Sequence, residues 1–283
     1  MIFWIASYPK NGNTWLRSLL SAYYFTKDGF FVNDNLLENI EQFPQKKFFK
    51  NFNYKPEIPG ETVKLWIKAQ ELINSDKKIR FFKTHNFLGV LEGNYFTNIK
   101  NSLAAIYIVR DPRNVVSSIK NHFELDYNQA LEFMNNEKKF TYDNLKKNDY
   151  SDFQFISSWE KNYQSWIHNK SFPIKVVKYE DLEQETFYVF KDIINFINAI
   201  LKNKLKFDKQ KARNAVRSTS FANLKKLENE RGFSESMMYK NFKKKIPFFH
   251  LGPNNNWKNT YNNNYQKKLN SIFNENLREL NYI

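Results

Sequence analysis

The sequence predicts an α/β protein built on a mostly parallel sheet flanked by helices. Two observations carry that expectation. Apolar, β-rich runs of roughly four to eight residues alternate with longer helical patterns, the rhythm of βαβ units. In addition, two of the strand-to-helix corners carry residues that suit an anion. Ile2–Ala6 reads as the first strand, Tyr8–Asn13 as a turn, and Thr14–Phe25 as a helix. Ile79–Lys83 and Ala104–Val109 read as short strands buried on both faces. Pro112–His122 reads as a helix opened by proline, where a missing N–H costs nothing. Ser151–Asn169 predicts one long helix, with Phe153, Ile156, Trp159, Tyr163 and Trp166 at three- and four-residue steps; the stripe is read as core, not as a cofactor box. Ile174–Lys178 follows as a strand, Thr186–Leu201 as a helix and Lys202–Lys206 as a Lys/Asn-rich joint. Two stretches break the rhythm. Phe30–Gly60, with three of the eight prolines, is expected to be an irregular insertion over one sheet edge. Glu230–Asn264 is expected to be a long functional loop. With no internal repeat and no clean linker, residues 1–283 read as one domain.

Composition narrows the chemistry. The chain of 283 residues has no cysteine, which excludes a disulfide scaffold, a thiolate zinc site, an iron–sulfur cluster and a cysteine nucleophile. Four histidines leave little room for a His-based site, so no metal is expected. No apolar run approaches the ~18 residues of a membrane span, and Met1–Lys10 lacks a basic n-region and a long h-region. The expectation is a soluble, unprocessed, cytoplasmic protein. The formal net charge of +15 invites a nucleic-acid reading. Yet only 8 of the 44 basic residues are Arg, Asn numbers 39, and the Lys residues are scattered. That pattern reads as a solvated basic surface with compositional bias, leaving a few cations for an anionic ligand, a small nucleotide as readily as a polymer.

The first corner is Ser7-Tyr-Pro-Lys-Asn-Gly-Asn-Thr-Trp-Leu16, between a strand and a helix. A glycine there lets successive N–H groups and a helix N-terminus face one anion, with Lys10 adding a point charge and Thr14 a hydroxyl. It is not the Walker pattern, because Asn13 stands where that pattern has lysine; ATP hydrolysis is not expected. The second corner, Arg110-Asp-Pro-Arg-Asn-Val-Val-Ser-Ser118, follows a strand, with Ser118 about two helical turns beyond Arg110. Two such corners at the carboxyl end of a parallel sheet fit a ligand with two separated anionic groups.

Together the two corners resemble the 5′-phosphosulfate and 3′-phosphate motifs of the sulfotransferases that use 3′-phosphoadenosine 5′-phosphosulfate (PAPS), approximately Y-P-K-S-G-T-T-W and R-x-P-x-D-x-x-x-S. Tyr8 to Trp15 matches the first with Asn11 and Asn13 as departures; Arg110 to Ser118 matches the second with Asn114 in place of Asp. Lys83-Thr-His85, Lys178-Tyr-Glu-Asp-Leu182, Thr219-Ser-Phe221 and Gly252-Pro-Asn-Asn-Asn-Trp-Lys-Asn259 fall in family order, and Leu280-Asn-Tyr282 is similar to the family's usual end. The resemblance implies a P-loop NTPase-like parallel sheet in three α/β/α layers, with PAPS as co-substrate and no metal. It also implies roles. Lys10 reaches the 5′-phosphate and bridging oxygen; Thr14 and the N–H groups of Asn11, Gly12, Asn13 and Thr14 hold phosphate oxygens; Trp15 packs on adenine. Arg110 and Ser118 take the 3′-phosphate, Tyr179 and Phe221 flank adenine, and Gly252 belongs to the late phosphate loop. His85 takes the acceptor proton, and Lys83 assists at the transferring group. The imidazole's ordinary pKa near 6.5 suits that task.

The late loop departs most: His250-Leu251 stands for Arg-Lys, and Asn255 and Asn256 replace Gly and Asp. Lys243–Lys245 and Arg231 are the nearest basic substitutes. These departures keep three alternatives open: a nucleotide-binding protein of the same fold that has lost transfer, a P-loop small-molecule kinase, and a nucleic-acid binder. The acceptor is expected to be a small molecule, a lipid or a glycan, with no nucleic acid as partner. Its pocket is assigned to Phe30–Gly60, Asp126–Tyr150 and Arg231–Phe249, whose Phe, Tyr and Met content predicts an apolar or aromatic wall. Oligomeric state is not legible.

Overall fold

The computed structural model describes residues 1–142, 148–202, 206–239 and 244–283. Among them, five parallel strands form one sheet: β1 (Ile2–Ser7), β2 (Glu41–Gln42), β3 (Arg80–Thr84), β4 (Ser102–Val109) and β5 (Ile174–Lys178), in the order β2-β3-β1-β4-β5. The register pairs Ile5 with Lys83 on one side and with Ile106 on the other, while Gln42 pairs with Lys83 and Val109 with Lys178. All strands therefore end along one rim.

Strand alternation sends successive residues to opposite faces, and both faces are apolar. Ile2, Trp4 and Ala6 of β1 with Ala105, Tyr107 and Val109 of β4 pack under α2 (Trp66–Ile73), α3 (Pro112–His122), α4 (Tyr127–Asn135) and α5 (Trp159–Ile167). Phe3 and Ile5 with Ala104, Ile106 and Ile108 pack under α1 (Asn13–Phe25), α7 (Thr186–Leu201), α8 (Lys209–Ser218) and α9 (Phe221–Arg231). The short α6 (Tyr179–Gln184) follows β5 directly. The expected three-layer arrangement is present, on one sheet with two covered faces.

The four strands read from sequence are found within two residues at each end. The insertion at 30–60 hides the fifth, β2, which has only two residues and no alternation to betray it. The long helix expected over Ser151–Asn169 is a correction. The helix begins at Trp159, because Ser157 takes a left-handed φ of 58° and the Ser158 hydroxyl caps the helix by accepting from the Lys161 N–H. Gln154–Phe155 instead pairs antiparallel with Phe140–Thr141. Helical spacing ran through this break because Phe153 and Ile156 pack into the same core as Trp159, Tyr163 and Trp166, all buried. Of the Lys202–Lys206 joint, residues 203–205 lie outside the described residues, as do 143–147 and 240–243 of the two later loops.

Candidate functional site

The strand rim opens into a cleft of about 980 Å³. At its floor the chain leaves β1, turns through Lys10 (φ 66°) and Gly12 (φ 102°) and enters α1. Only glycine fits at position 12: besides the positive φ, a Cβ would lie 2.5 Å from the Tyr179 ring. The Asn13 side-chain amide donates to Ile5 O at 3.0 Å and ties the turn to the strand. Gly12, Asn13, Thr14 and Trp15 line the cleft, as do Lys10 and Arg17. Asn11 does not. Its side chain is buried beneath the turn without a hydrogen-bond partner, and its N–H points back to Tyr8 O at 3.3 Å.

A carboxylate from the late loop reaches this turn. The Thr14 hydroxyl donates to Glu235 Oε2 at 2.7 Å, Arg17 Nη1 to Oε1 at 2.5 Å, and Lys83 Nζ to Oε1 at 3.3 Å. Burial pushes the Glu235 carboxyl up, but the Arg17 and Lys83 charges and the hydrogen bonds outweigh it and hold it well below the usual range. Arg17 also donates to the carbonyls of Leu37 and Ile40, fastening the first insertion to α1. Sequence reasoning missed both residues. Arg17 lies on the helix just beyond the motif, and its partner is 218 positions away.

The second corner meets the first. Arg110 is buried, lies with its guanidinium carbon 3.9 Å from the Tyr179 ring centre, and makes one long contact, Nη1 to Lys10 O at 3.5 Å. Its Nε has no partner, so a buried cation with spare donors faces the cleft. That donor set fits a phosphate. Ser118 lines the same wall. Asn114 and Asn255, two departures from the family pattern, join the late loop to α3: Asn255 Nδ2 donates to Ser118 Oγ at 3.1 Å and Asn114 O at 3.0 Å, and Trp257 N donates to Asn114 Oδ1 at 2.8 Å. Arg113 is occupied elsewhere, forked onto Asp111 and stacked 4.0 Å from the Trp257 ring centre. Gly252 (φ 55°) presses on Phe221, where a Cβ would approach the ring to 2.4 Å. Trp15, Tyr179, Phe221 and Gly252 thus border one end of the cleft, with Trp15 and Tyr179 ring centres 5.6 Å apart. Of the basic substitutes, Arg231, Lys244 and Lys245 do not line the cleft, and Lys243 is outside the described residues.

At the β3 end stand Lys83 and His85. His85 Nδ1 lies 2.7 Å from Ser7 O; a carbonyl only accepts, so Nδ1 carries the proton and the Nε2 lone pair is left free. Burial, reinforced by the Lys83 charge, pulls the imidazole pKa down to about 3, which keeps the ring neutral. Burial likewise lowers Lys83, against the raising effect of Glu235, and pulls Lys10 down to about 7. The Lys10 ammonium sits 3.7 Å from the centre of the Phe248 ring. His122, which carried no sequence signal, also lines the cleft, held well below its ordinary pKa by burial and then by Lys10.

Around His85 the wall differs from the expected apolar one. Glu41, Gln42, Gln45, Asp152 and Gln154 border the cleft there, with Tyr142 at the edge. The insertion's aromatics Phe31, Phe43 and Phe49 are spent in the two cores. An irregular segment lying on a sheet edge must turn its apolar residues inward, which leaves its amides and acids for the cleft.

Among known proteins, the sulfotransferase domain matches residues 2–281. The luciferin sulfotransferase of Photinus pyralis is 25% identical over 270 residues, covering 90% of this chain and 65% of that protein, just under two thirds of its length. Sulfotransferase 1B1 of Mus musculus is 24% identical, covering 95% of this chain and 80% of that protein. Among solved structures, a mouse sulfotransferase complexed with PAP superposes with a TM-score of 0.54 at 18% identity, covering 98% of this chain and 84% of the other. A retinol dehydratase in complex with retinol and PAP superposes with a TM-score of 0.57 at 14% identity, covering 98% and 81%. With a family match over nearly its whole length, the chain belongs to the sulfotransferase domain family.

Proposed function

We propose that the protein transfers the sulfuryl group of PAPS to an acceptor hydroxyl or amine and releases adenosine 3′,5′-bisphosphate (PAP). The observation that carries this reading is the meeting of two anion-competent corners, Lys10–Trp15 and Arg110–Ser118, in one cleft with a neutral His85. Arg110, buried with donors to spare, and Ser118 take the 3′-phosphate. Gly12, Asn13 and Thr14 offer the start of α1 to the 5′-phosphate, while Trp15, Tyr179, Phe221 and Gly252 enclose the adenine end. Asn11 contributes through the backbone turn alone.

His85 Nε2 accepts the acceptor's proton as its oxygen or nitrogen forms a bond to sulfur. The bond from sulfur to the bridging oxygen breaks, and its electron pair stays on the 5′-phosphate. Lys10 and Lys83 supply the positive charge that this growing negative charge needs, in a site dry enough to make it count. Positioning and fixed charge do the rest, as in phosphoryl transfer. Incubating the protein with PAPS and a panel of acceptors, with PAP release as readout, tests the reading. Turnover of any acceptor supports it; no turnover together with no PAP binding overturns it. Among the described residues no helix is long and apolar enough to cross a membrane.

A further inference from the structure

We infer that the acceptor is a neutral polyhydroxylated molecule of the carbohydrate class, held by the amides of Gln42, Gln45 and Gln154 beside His85. The inference rests on the sulfuryl-transfer reading and deepens it.

The placement follows from backbone register. Gln42 on β2 lies opposite Lys83 on β3, two residues before His85. Gln154 Oε1 accepts the His85 N–H at 2.8 Å, which fixes that side chain against the base and leaves its Nε2 to donate. Gln45 precedes Lys46, whose N–H donates to Asp152 Oδ1 at 2.7 Å, so the insertion and the segment before α5 are stitched together around the cleft. All three glutamines line it.

The charges and amides of this wall are used differently. Glu41 is paired with Lys47, and Asp152 accepts from Lys46 N, so the carboxylates here are already engaged. Among the described residues, the side chains of Gln42 and Gln45 hydrogen-bond to nothing in the protein. Spent carboxylates disfavour a cationic acceptor. Unspent amides, each both donor and acceptor, match hydroxyls, which are the same. A planar apolar acceptor would cover these groups and give them no partner, whereas a site built to bond a hydroxyl rejects an analogue lacking it by roughly 10⁴–10⁵-fold. The Tyr142 ring, 39% exposed at the edge of the wall, offers a face for the C–H side of a sugar ring.

The test uses the full chain with ³⁵S-labelled PAPS, first confirming PAP binding by calorimetry. Acceptors are methyl hexosides, methyl N-acetylhexosaminides and disaccharides on one side, 2-naphthol and androsterone on the other. The expected result is label transfer to a sugar and at least 100-fold slower transfer to the apolar pair. In a Gln42→Leu/Gln45→Leu protein, KM for that sugar rises about tenfold or more, with kcat and PAP affinity unchanged. A faster naphthol or androsterone reaction, no sugar sulfated although PAP binds, or an unchanged sugar KM in the double variant overturns the carbohydrate assignment alone. Absence of PAP binding overturns the reading beneath it.

Discussion

The Thr14 hydroxyl, at the start of the helix that faces the proposed phosphate, donates to Glu235 Oε2 at 2.7 Å, so a carboxylate of the protein already holds a group assigned to the nucleotide. The same carboxylate engages Arg17 and Lys83. Removing its charge leaves two buried cations without a counter-ion, a loss of about 3–5 kcal/mol for a broken buried pair. Glu235→Gln is therefore expected to lower the melting temperature of the free protein by roughly 6 °C or more. PAP, an anion entering an unneutralised site, is expected to bind the variant about tenfold more tightly, worth about 1.4 kcal/mol. Thermal unfolding with and without PAP checks both; a variant that PAP stabilises no more than the native chain refutes the competition.

Glu235 also sets an acid limit. Its folded carboxyl is held below the ordinary value, so the unfolded chain takes up the proton first as pH falls. The stability it contributes is full above the ordinary glutamate range and is lost as pH drops through its own lowered value. Urea midpoints of the native chain and Glu235→Gln, measured from pH 7 down to 3, are expected to converge as the pH falls.

Lys10 predicts a proton linked to nucleotide binding. With the free-protein pKa pulled to about 7, chiefly by burial, the amine is mostly neutral at pH 8, and a bound phosphate raises it again. Calorimetry of PAP binding in buffers of different ionisation enthalpy is expected to show uptake approaching one proton at pH 8 and little at pH 5.5. Lys10→Met is expected to abolish the difference.

His85→Ala is expected to lower kcat by roughly 10²–10⁴-fold, the usual worth of a positioned base, and to leave PAP affinity within about twofold. Because the ring stays neutral down to about pH 3 in the free protein, the acid limb of kcat/KM is expected well below 6.5, with no break at the ordinary imidazole value. A break at 6.5 that survives in His85→Ala assigns the base elsewhere.

Arg110→Met removes the buried guanidinium stacked on Tyr179. PAP binding is expected to weaken by about 2–4 kcal/mol, roughly 30- to 1,000-fold, through faster dissociation. Turnover at saturating nucleotide changes little, which steady-state kinetics over a wide PAPS range separates.

Much of the molecule was legible before folding. The alternation of strand and helix fixed the layers, and glycine at position 12 and proline at 112 marked where β1 gives way to α1 and β4 to α3. Those features are local: they depend on a residue's own φ/ψ freedom and on periodicities of two and 3.6. The six ordered motif segments carried the nucleotide end for the same reason, since each is a short run on one corner. The failures also have physical causes. Helical spacing continued through Ser157 because burial, not backbone, set the period there. The late loop was read as weakened, yet Asn114 and Asn255 bond it to Ser118 and α3, a relation between segments about 140 positions apart.

By itself, then, the sequence determined the sheet, the two anion-binding corners and His85, all of which follow from local conformation and short motifs. Tertiary structure alone decided that Glu235 reaches Thr14, Arg17 and Lys83, that Arg110 has donors to spare, and that the wall beside His85 is made of amides. Those facts depend on which distant side chains burial leaves at the cleft, and no local pattern encodes what a long loop turns inward to the core and what it turns outward.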